Sequence, residues 1–258
     1  MDSLSPEHPP VTETPAPQRR KVWKFWGTLL WGLFVFAAMF AGQMAVIVYL
    51  ILAQEGPFSI AAATRLVGSG LTISLSVVAG VPAVLVALWL AIRLTSTPFN
   101  DYLGLRRPSW KPTLLGAVGL AVIAGGWDLM SRAAGREVAP NFMTDVFKSA
   151  QSSGAVWFLI VAFCVAAPIA EELFARGFLY RGWSESALRP VGAILLSSAA
   201  WTALHLQYEW YFFGEIFTIG VWLGFLRYRF QSTWTTIIVH GLNNFAAVMQ
   251  TMWLAGQS

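Results

Sequence analysis

Long runs of apolar residues, separated by short polar connections, make up the chain from about residue 26 onward. A helix that crosses a bilayer needs about 20 mainly apolar residues. Seven runs reach or approach this length, and we predict a membrane-spanning helix in each, at about 26–52, 70–93, 113–130, 155–182, 190–208, 210–227 and 233–255. The third run is short, and the fifth and sixth runs meet at the short polar stretch 207–209, so six or eight spans are open alternatives.

The composition supports a membrane protein. Of the 258 residues, 56% are hydrophobic and 12% are charged, against about 45–50% apolar and about 25% charged in globular proteins. We therefore predict an all-α fold, a polytopic transmembrane helix bundle of about seven spans. The net charge of +4 is modest, and the basic residues lie between apolar runs rather than in one patch, so no nucleic-acid partner is expected. With the N-terminus inside, most Lys and Arg fall on cytoplasmic flanks, as the positive-inside rule requires.

Two regions are predicted from composition. Residues 1–22 are polar and rich in proline, which is typical of a disordered cytoplasmic tail. Residues 23–258 form the predicted membrane-embedded helical domain. Its first apolar run is longer than the core of a signal peptide, which has roughly 7 to 15 residues, so we predict an anchor rather than a cleaved signal. A weak pattern around 142–147 predicts an interfacial helix that covers the outer side of the site described next.

Three ionisable residues, Glu171, Glu172 and Arg176, close the fourth apolar run. A charge inside a bilayer costs roughly 2.5 to 3.5 kcal/mol or more, so such residues usually have a partner or a function. Residues four apart share a helix face, so Glu172 is predicted to pair with Arg176 while Glu171 points elsewhere. Pro168 lies one turn earlier and lacks an N–H group, which predicts a bend just before the acids.

Later apolar runs bring His205, His240 and Asn244 to a similar depth, because an α-helix rises about 1.5 Å per residue. We predict that they converge with Glu171 near the middle of the membrane. Two neighbouring carboxylates in a low-dielectric setting cannot easily both ionise, so Glu171 is the candidate general base. With His205 it would deprotonate a water, while His240 and Asn244 would donate hydrogen bonds to the tetrahedral oxyanion.

Each residue has a simpler structural explanation. Glu172 and Arg176 form an ordinary helix-end ion pair in that interpretation, and an intramembrane histidine or asparagine serves as an interhelical hydrogen-bond donor. Two functional alternatives also use the same residues: a proton-coupled transporter with a carboxylate–histidine relay, and a catalytically silent scaffold or immunity protein. The ordered combination on three segments favours an enzyme over both.

The chain resembles a known family in three ordered motifs across about residues 160–250. They are Glu171-Glu172-x-x-x-Arg176, Trp201-x-x-x-His205 and His240-x-x-x-Asn244. These resemble the motifs of the CPBP intramembrane proteases, which include the type II CAAX prenyl endopeptidase and bacterial proteins linked to bacteriocin processing and immunity. The resemblance implies an intramembrane endopeptidase with its catalytic core at about 155–255.

The resemblance also implies roles for individual residues. Glu171 and His205 match the water-activating pair, and His240 and Asn244 match the pair that stabilises the oxyanion. The supporting positions of the first motif are matched by Glu172 and Arg176. Trp201 departs from the family, which usually has phenylalanine there, and its larger ring is expected to reshape the substrate pocket.

Expectations for cofactors and partners follow from the same resemblance. The family has been classed as metalloprotease, and a catalytic zinc would take Glu171, His205 and His240 as ligands. We favour chemistry that requires no cofactor, with zinc as the alternative. The expected partners are the lipid bilayer and a membrane-associated peptide or protein substrate, with or without a prenylated tail, and the expected location is a bacterial plasma membrane.

Overall fold

The structure, a computed structural model, describes residues 21–54 and 59–256. These residues form helices and no strand, which confirms the predicted all-α class. Almost the whole predicted tail, residues 1–22, lies outside the described residues. The helices are α1 Phe25–Leu52, α2 Ile60–Val67, α3 Gly70–Arg93, α4 Phe99–Leu103, α5 Trp110–Ala133, α6 Asn141–Ser152, α7 Val156–Ser184, α8 Arg189–Thr202, α9 Phe212–Phe230 and α10 Thr233–Ala255.

Four helices, α1, α3, α5 and α7, are long and apolar enough to cross a membrane, judged by length and composition. Large apolar side chains remain exposed along α1 and α5, among them Leu33, Phe40, Val122 and Leu129. Contiguous exposed apolar surface of this kind is stable in contact with lipid tails rather than water. The chain is an integral membrane protein built as a helix bundle.

The other three predicted spans differ from the first four. Helix α8 has 14 residues, so it is about 21 Å long and too short to cross a hydrocarbon core of about 30 Å by itself. It ends at Thr202, earlier than the predicted limit of 208, and a 3₁₀ turn follows at Ala203–His205. Helices α9 and α10 have 19 and 23 residues, but they are not among the four described helices that are both long and apolar enough to cross a membrane. The count of seven spans and the inward N-terminus stay predictions.

Helix α7 forms the centre of the bundle and contacts α1 and α3 as well as α8 and α10. Half of its most apolar window is buried inside the protein, against 6% for α1. It changes hydrogen-bond register twice, through π-helical segments at Ala162–Ala166 and Leu173–Leu179. The sequence predicted a bend near Pro168; the structure has π segments on both sides of Glu171 and Glu172.

The first π segment leaves a main-chain carbonyl without its usual donor. The N–H of Ala167 donates to the carbonyl of Ala162, five residues back. The next bond in this pattern would join Pro168 to Phe163, but proline has no N–H. Since a buried carbonyl without a partner is costly, the Phe163 oxygen needs a donor from another helix.

Helix α10 begins at a capped end that sets its register. The Ser232 hydroxyl accepts a hydrogen bond from the Thr235 N–H at 3.2 Å, which satisfies one of the free donors of the first turn. His240 and Asn244 then lie one turn apart on the same face. That face packs against α7, where Gly241 approaches the carbonyl of Cys164 closely.

Candidate active site

A cavity of about 530 Å³ lies between α7, α8 and α10 and receives walls from α1, α3, α6 and α9. Its lining includes all four residues predicted as catalytic: Glu171, His205, His240 and Asn244. Three separate helical segments therefore bring the motifs to one space. The geometry of each side chain shows what that space can do.

The Glu172 and Arg176 side chains pair as predicted. Arg176 Nη1 donates to Glu172 Oε1 at 2.8 Å, and both side chains are fully buried. A second donor of the guanidinium, Nη2, bonds the carbonyl of Gly220 on α9 at 2.9 Å. Because charge neutralisation and hydrogen bonding coincide, the pair is held inside the bundle rather than at a membrane surface.

Glu172 also holds His240. Its Oε1 atom lies 3.1 Å from His240 Nδ1, and the histidine is 2% exposed. An ionised carboxylate oxygen accepts, so Nδ1 carries the hydrogen and Nε2 is the ring atom left for a ligand. The sequence did not predict this bond, because the two residues are 68 positions apart. Glu172 thus orients a residue of the second predicted pair.

His205 is oriented by the main chain of its own segment. Its Nδ1 atom lies 3.1 Å from the Trp201 carbonyl oxygen. This carbonyl lies in the last turn of α8 and accepts from the imidazole. Because a carbonyl cannot donate, Nδ1 carries the hydrogen and Nε2 has a free lone pair. In this tautomer His205 can accept a hydrogen bond from water.

Asn244 supplies the donor that the first π segment lacks. Its Nδ2 atom donates to the Phe163 carbonyl at 2.9 Å, and this assignment of the amide is fixed because a carbonyl only accepts. One of the two amide hydrogens is used in this bond. The second is left for a ligand in the cavity, so Asn244 combines a structural contact with the predicted donor role.

Trp201 occupies the middle of the site. Its Nε1–H donates to Glu171 Oε2 at 2.5 Å. Its ring centroid lies 4.6 Å from the Arg176 guanidinium carbon, 5.0 Å from the His205 ring and 5.3 Å from the His240 ring. The sequence predicted that this ring would shape the pocket, but the bond to Glu171 is an additional finding. It makes Trp201 a direct neighbour of every motif.

The side chains as arranged do not form a zinc site. Within residues 21–54 and 59–256, no group of three or more His, Cys, Asp and Glu side chains is placed to hold a metal ion. The set considered for zinc was Glu171, His205 and His240, and the Trp201 indole contacts all three of these residues.

Several cavity residues lie outside the motifs. Tyr208 lines the cavity, and its ring centroid is 5.6 Å from that of His205; its position three residues after the histidine was the only available signal. Glu215 and Gln250 also line the cavity, and Gln250 Nε2 donates to Asp128 Oδ2 of α5 at 2.6 Å. Asp128 is thus tied to α10.

The remaining walls are apolar and come from distant parts of the chain. They include Phe36, Phe40, Ile73, Phe142 and Met143. No sequence signal distinguishes these side chains from those that face lipid, because both kinds are simply apolar. Phe142 and Met143 belong to α6, so a helix does form where an interfacial helix was predicted, and it contributes one wall of the cavity.

Comparison with known proteins finds a family resemblance over the segment that contains these residues. Residues 153–246 match the family model described as type II CAAX prenyl endopeptidase, Rce1-like. The UPF0177 protein YbdI of Lactococcus lactis subsp. lactis (strain IL1403) is 33% identical over 93 residues, which cover 36% of this chain and 49% of that protein. The chain spans about half the length of this curated relative. No solved structure matches the chain.

The matched segment contains Glu171, His205, His240 and Asn244. The resemblance inferred from the three motifs is therefore confirmed for residues 153–246. Helices α1 to α6 lie before this segment and are not part of the match.

Proposed function

We propose that this chain, Rce1-like over residues 153–246, is an intramembrane endopeptidase that hydrolyses a peptide bond with an activated water. The observation that carries the proposal is the single cavity lined by Glu171, His205, His240 and Asn244. A carboxylate, an imidazole with a free Nε2 and two further polar groups in one cavity are the parts that peptide hydrolysis needs.

Water is activated between Glu171 and His205. Both side chains line the cavity, and in the proposed mechanism one water bridges them. Glu171 takes a proton from the water as its oxygen attacks the carbonyl carbon. The new C–O bond forms, and the carbonyl oxygen becomes an oxyanion. The proton then passes from Glu171 to the leaving nitrogen as the C–N bond breaks.

The oxyanion is stabilised by His240 and Asn244. His240 donates from Nε2 as an imidazolium, because its Nδ1 already donates to Glu172 at 3.1 Å. Asn244 donates its second amide hydrogen, the first being bound to Phe163. Both donors are fixed by partners outside the reacting group, so little reorganisation accompanies charge development. Arg176 neutralises Glu172 and so preserves the position of His240.

The substrate is a membrane-associated peptide or protein. The apolar walls from α1, α3 and α6 favour a lipid-embedded segment or a prenylated tail in the cavity. A bacterial plasma membrane is the proposed location, and no cofactor is required in this mechanism.

The decisive experiment is peptide cleavage by purified protein in lipid nanodiscs, followed by mass spectrometry with prenylated and unprenylated membrane peptides. Wild type is expected to cleave, and Glu171→Ala is expected to lose activity by at least about a thousandfold, since it removes the base. Glu185→Ala is the matched control, because Glu185 is a half-exposed carboxylate outside the cavity. Equal cleavage by wild type and Glu171→Ala would contradict the proposed role of Glu171.

Metal content is tested on the same active preparation. The proposed mechanism expects cleavage to persist after chelation and no stoichiometric zinc by elemental analysis. Zinc that leaves together with activity would overturn the cofactor-free mechanism while leaving the peptidase proposal intact.

A further inference from the structure

We propose that Trp201 is a positioning residue that selects which oxygen of Glu171 acts as the base. Its indole N–H holds Oε2, so Oε1 is the atom that receives the proton from water. This inference rests on the proposed peptidase function and goes beyond it, because the three motifs assign no hydrogen bond to this aromatic position.

The first observation is the bond itself. Trp201 Nε1 lies 2.5 Å from Glu171 Oε2, and the tryptophan is 3% exposed. An indole nitrogen can only donate, so its hydrogen points to the carboxylate. In the described part of the chain, Oε1 of Glu171 has no protein hydrogen-bond partner. The two oxygens are therefore not equivalent, and Oε1 is the one with its full acceptor capacity left for water.

The second observation is that the indole itself cannot move freely. The Arg176 guanidinium carbon lies 4.6 Å from the ring centroid, which is a cation–π distance. His205 and His240 pack edge-to-face, with centroids at 5.0 and 5.3 Å. Since Arg176 is anchored to Glu172 and to the Gly220 carbonyl, the donor is held by groups that do not depend on Glu171.

A fixed donor improves a general base by reducing the number of carboxylate orientations. Proton transfer requires the base and the water within about 2.6–3.2 Å, and a freely rotating Glu171 would satisfy this only part of the time. The charge-assisted bond to one oxygen restricts rotation of the carboxylate. The benefit is expected in the chemical step rather than in substrate binding.

Trp201→Phe isolates the N–H group, because phenylalanine keeps an aromatic ring between Arg176 and the histidines but has no donor. Trp222→Phe is the matched control. Trp222 also donates an indole N–H, to the Gly116 carbonyl at 3.0 Å, and it is not one of the described residues that line the cavity. Both variants therefore lose one indole hydrogen bond, but only Trp201→Phe loses the bond to Glu171.

The kinetic test compares kcat and KM for cleavage in nanodiscs. Trp201→Phe is expected to lower kcat by about ten- to a hundredfold, the effect of one hydrogen bond to a charged group, with KM unchanged. Trp222→Phe is expected to leave both constants unchanged. An unchanged kcat in Trp201→Phe would overturn the proposal. So would a fall in kcat accompanied by a higher KM and a lower thermal midpoint, which would indicate ring packing alone.

A spectroscopic test examines the bond without relying on turnover. In protein labelled with ¹⁵N at the tryptophan indoles, the N–H resonance that disappears in Trp201→Phe belongs to Trp201. Glu171→Gln is expected to move that resonance and to leave the Trp222 resonance in place. A Trp201 resonance that does not move would show that the hydrogen bond to Glu171 does not form and would overturn the proposal. If Glu171→Gln moves the resonance but the wild-type protein cleaves no peptide, the bond is established. Its catalytic role is then refuted together with the peptidase proposal.

Discussion

Glu172 shows at the residue scale why a charge is tolerated inside this bundle. Its Oε1 atom bonds both Arg176 and His240, and the Glu172 and Arg176 side chains are both fully buried. A buried ion pair is not necessarily stabilising compared with an apolar pair, but removing one partner leaves the other charge uncompensated. The same carboxylate thus connects the stability of the bundle with the orientation of a proposed catalytic group.

Glu172→Gln is expected to reduce the free energy of unfolding by about 3–5 kcal/mol, because Arg176 would remain buried without its counter-charge. Denaturant titration of the detergent-solubilised protein measures this change. Glu185→Gln is the control, since Arg181 and Glu185 also lie four residues apart, but with side chains 29% and 47% exposed. We expect Glu185→Gln to lower the free energy of unfolding by less than about 1 kcal/mol. Similar losses in the two variants would contradict the importance of the buried pair.

At the element scale, the π segment of α7 explains how α10 is placed. The segment and Pro168 together leave the Phe163 carbonyl free, and Asn244 of α10 bonds it at 2.9 Å. Gly241, three residues earlier on α10, allows the close approach of the two helices. Register changes of this kind insert an extra residue into a turn and are frequent at functional sites. Here the change creates the docking point that brings His240 beside Glu172.

Gly241→Ala tests this docking. An added Cβ would lie 2.6 Å from the Cys164 carbonyl oxygen, so α10 would have to shift, at a cost of about 1–3 kcal/mol. We expect a lower thermal midpoint and reduced cleavage, because His240 and Asn244 would move with the helix.

Gly125→Ala on α5 is the corresponding control. A Cβ at Gly125 meets nothing within 4 Å, and alanine favours a helix over glycine by about 1 kcal/mol, so stability should be unchanged or higher. If the stability of Gly241→Ala were also unchanged or higher, α10 would not pack closely on α7 at this position.

At the scale of the whole molecule, apolar helices surround a buried polar centre. Helix α7 lies in the middle, and α1 and α5 expose apolar side chains on their outer surfaces. The distribution of Lys and Arg predicts a cytoplasmic N-terminus, which places the connection between α3 and α5 inside and the connection between α5 and α6 outside. This orientation determines the membrane face nearest each wall of the cavity.

Cysteine labelling of sealed, oriented vesicles tests that orientation. In a Cys164→Ser background, Arg107→Cys is expected to react with an impermeant maleimide only from the cytoplasmic side. Ala134→Cys is expected to react only from the opposite side. Both positions are exposed in the structure, so failure to label would not result from burial. The reversed pattern would show that the N-terminus is outside.

The sequence alone determined the fold class, the approximate helix positions and the candidate residues. Apolar runs of membrane-spanning length can be satisfied only by helices, because backbone groups in lipid must bond internally. The cost of burying ionisable groups identified Glu171, Glu172, Arg176 and the histidines. The pair Glu172–Arg176 was also predictable, since residues four apart share one helix face.

Only the tertiary structure decided the contacts between helices. The bonds from His240 to Glu172, from Trp201 to Glu171 and from Asn244 to Phe163 join residues 68, 30 and 81 positions apart. Helical periodicity states which face a residue occupies but not which helix that face meets. The end of α8 at Thr202 was likewise missed, because the apolar run continues beyond the point where the helix stops. Packing, rather than local pattern, therefore fixed the protonated ring nitrogens, the free oxygen of Glu171 and the shape of the cavity.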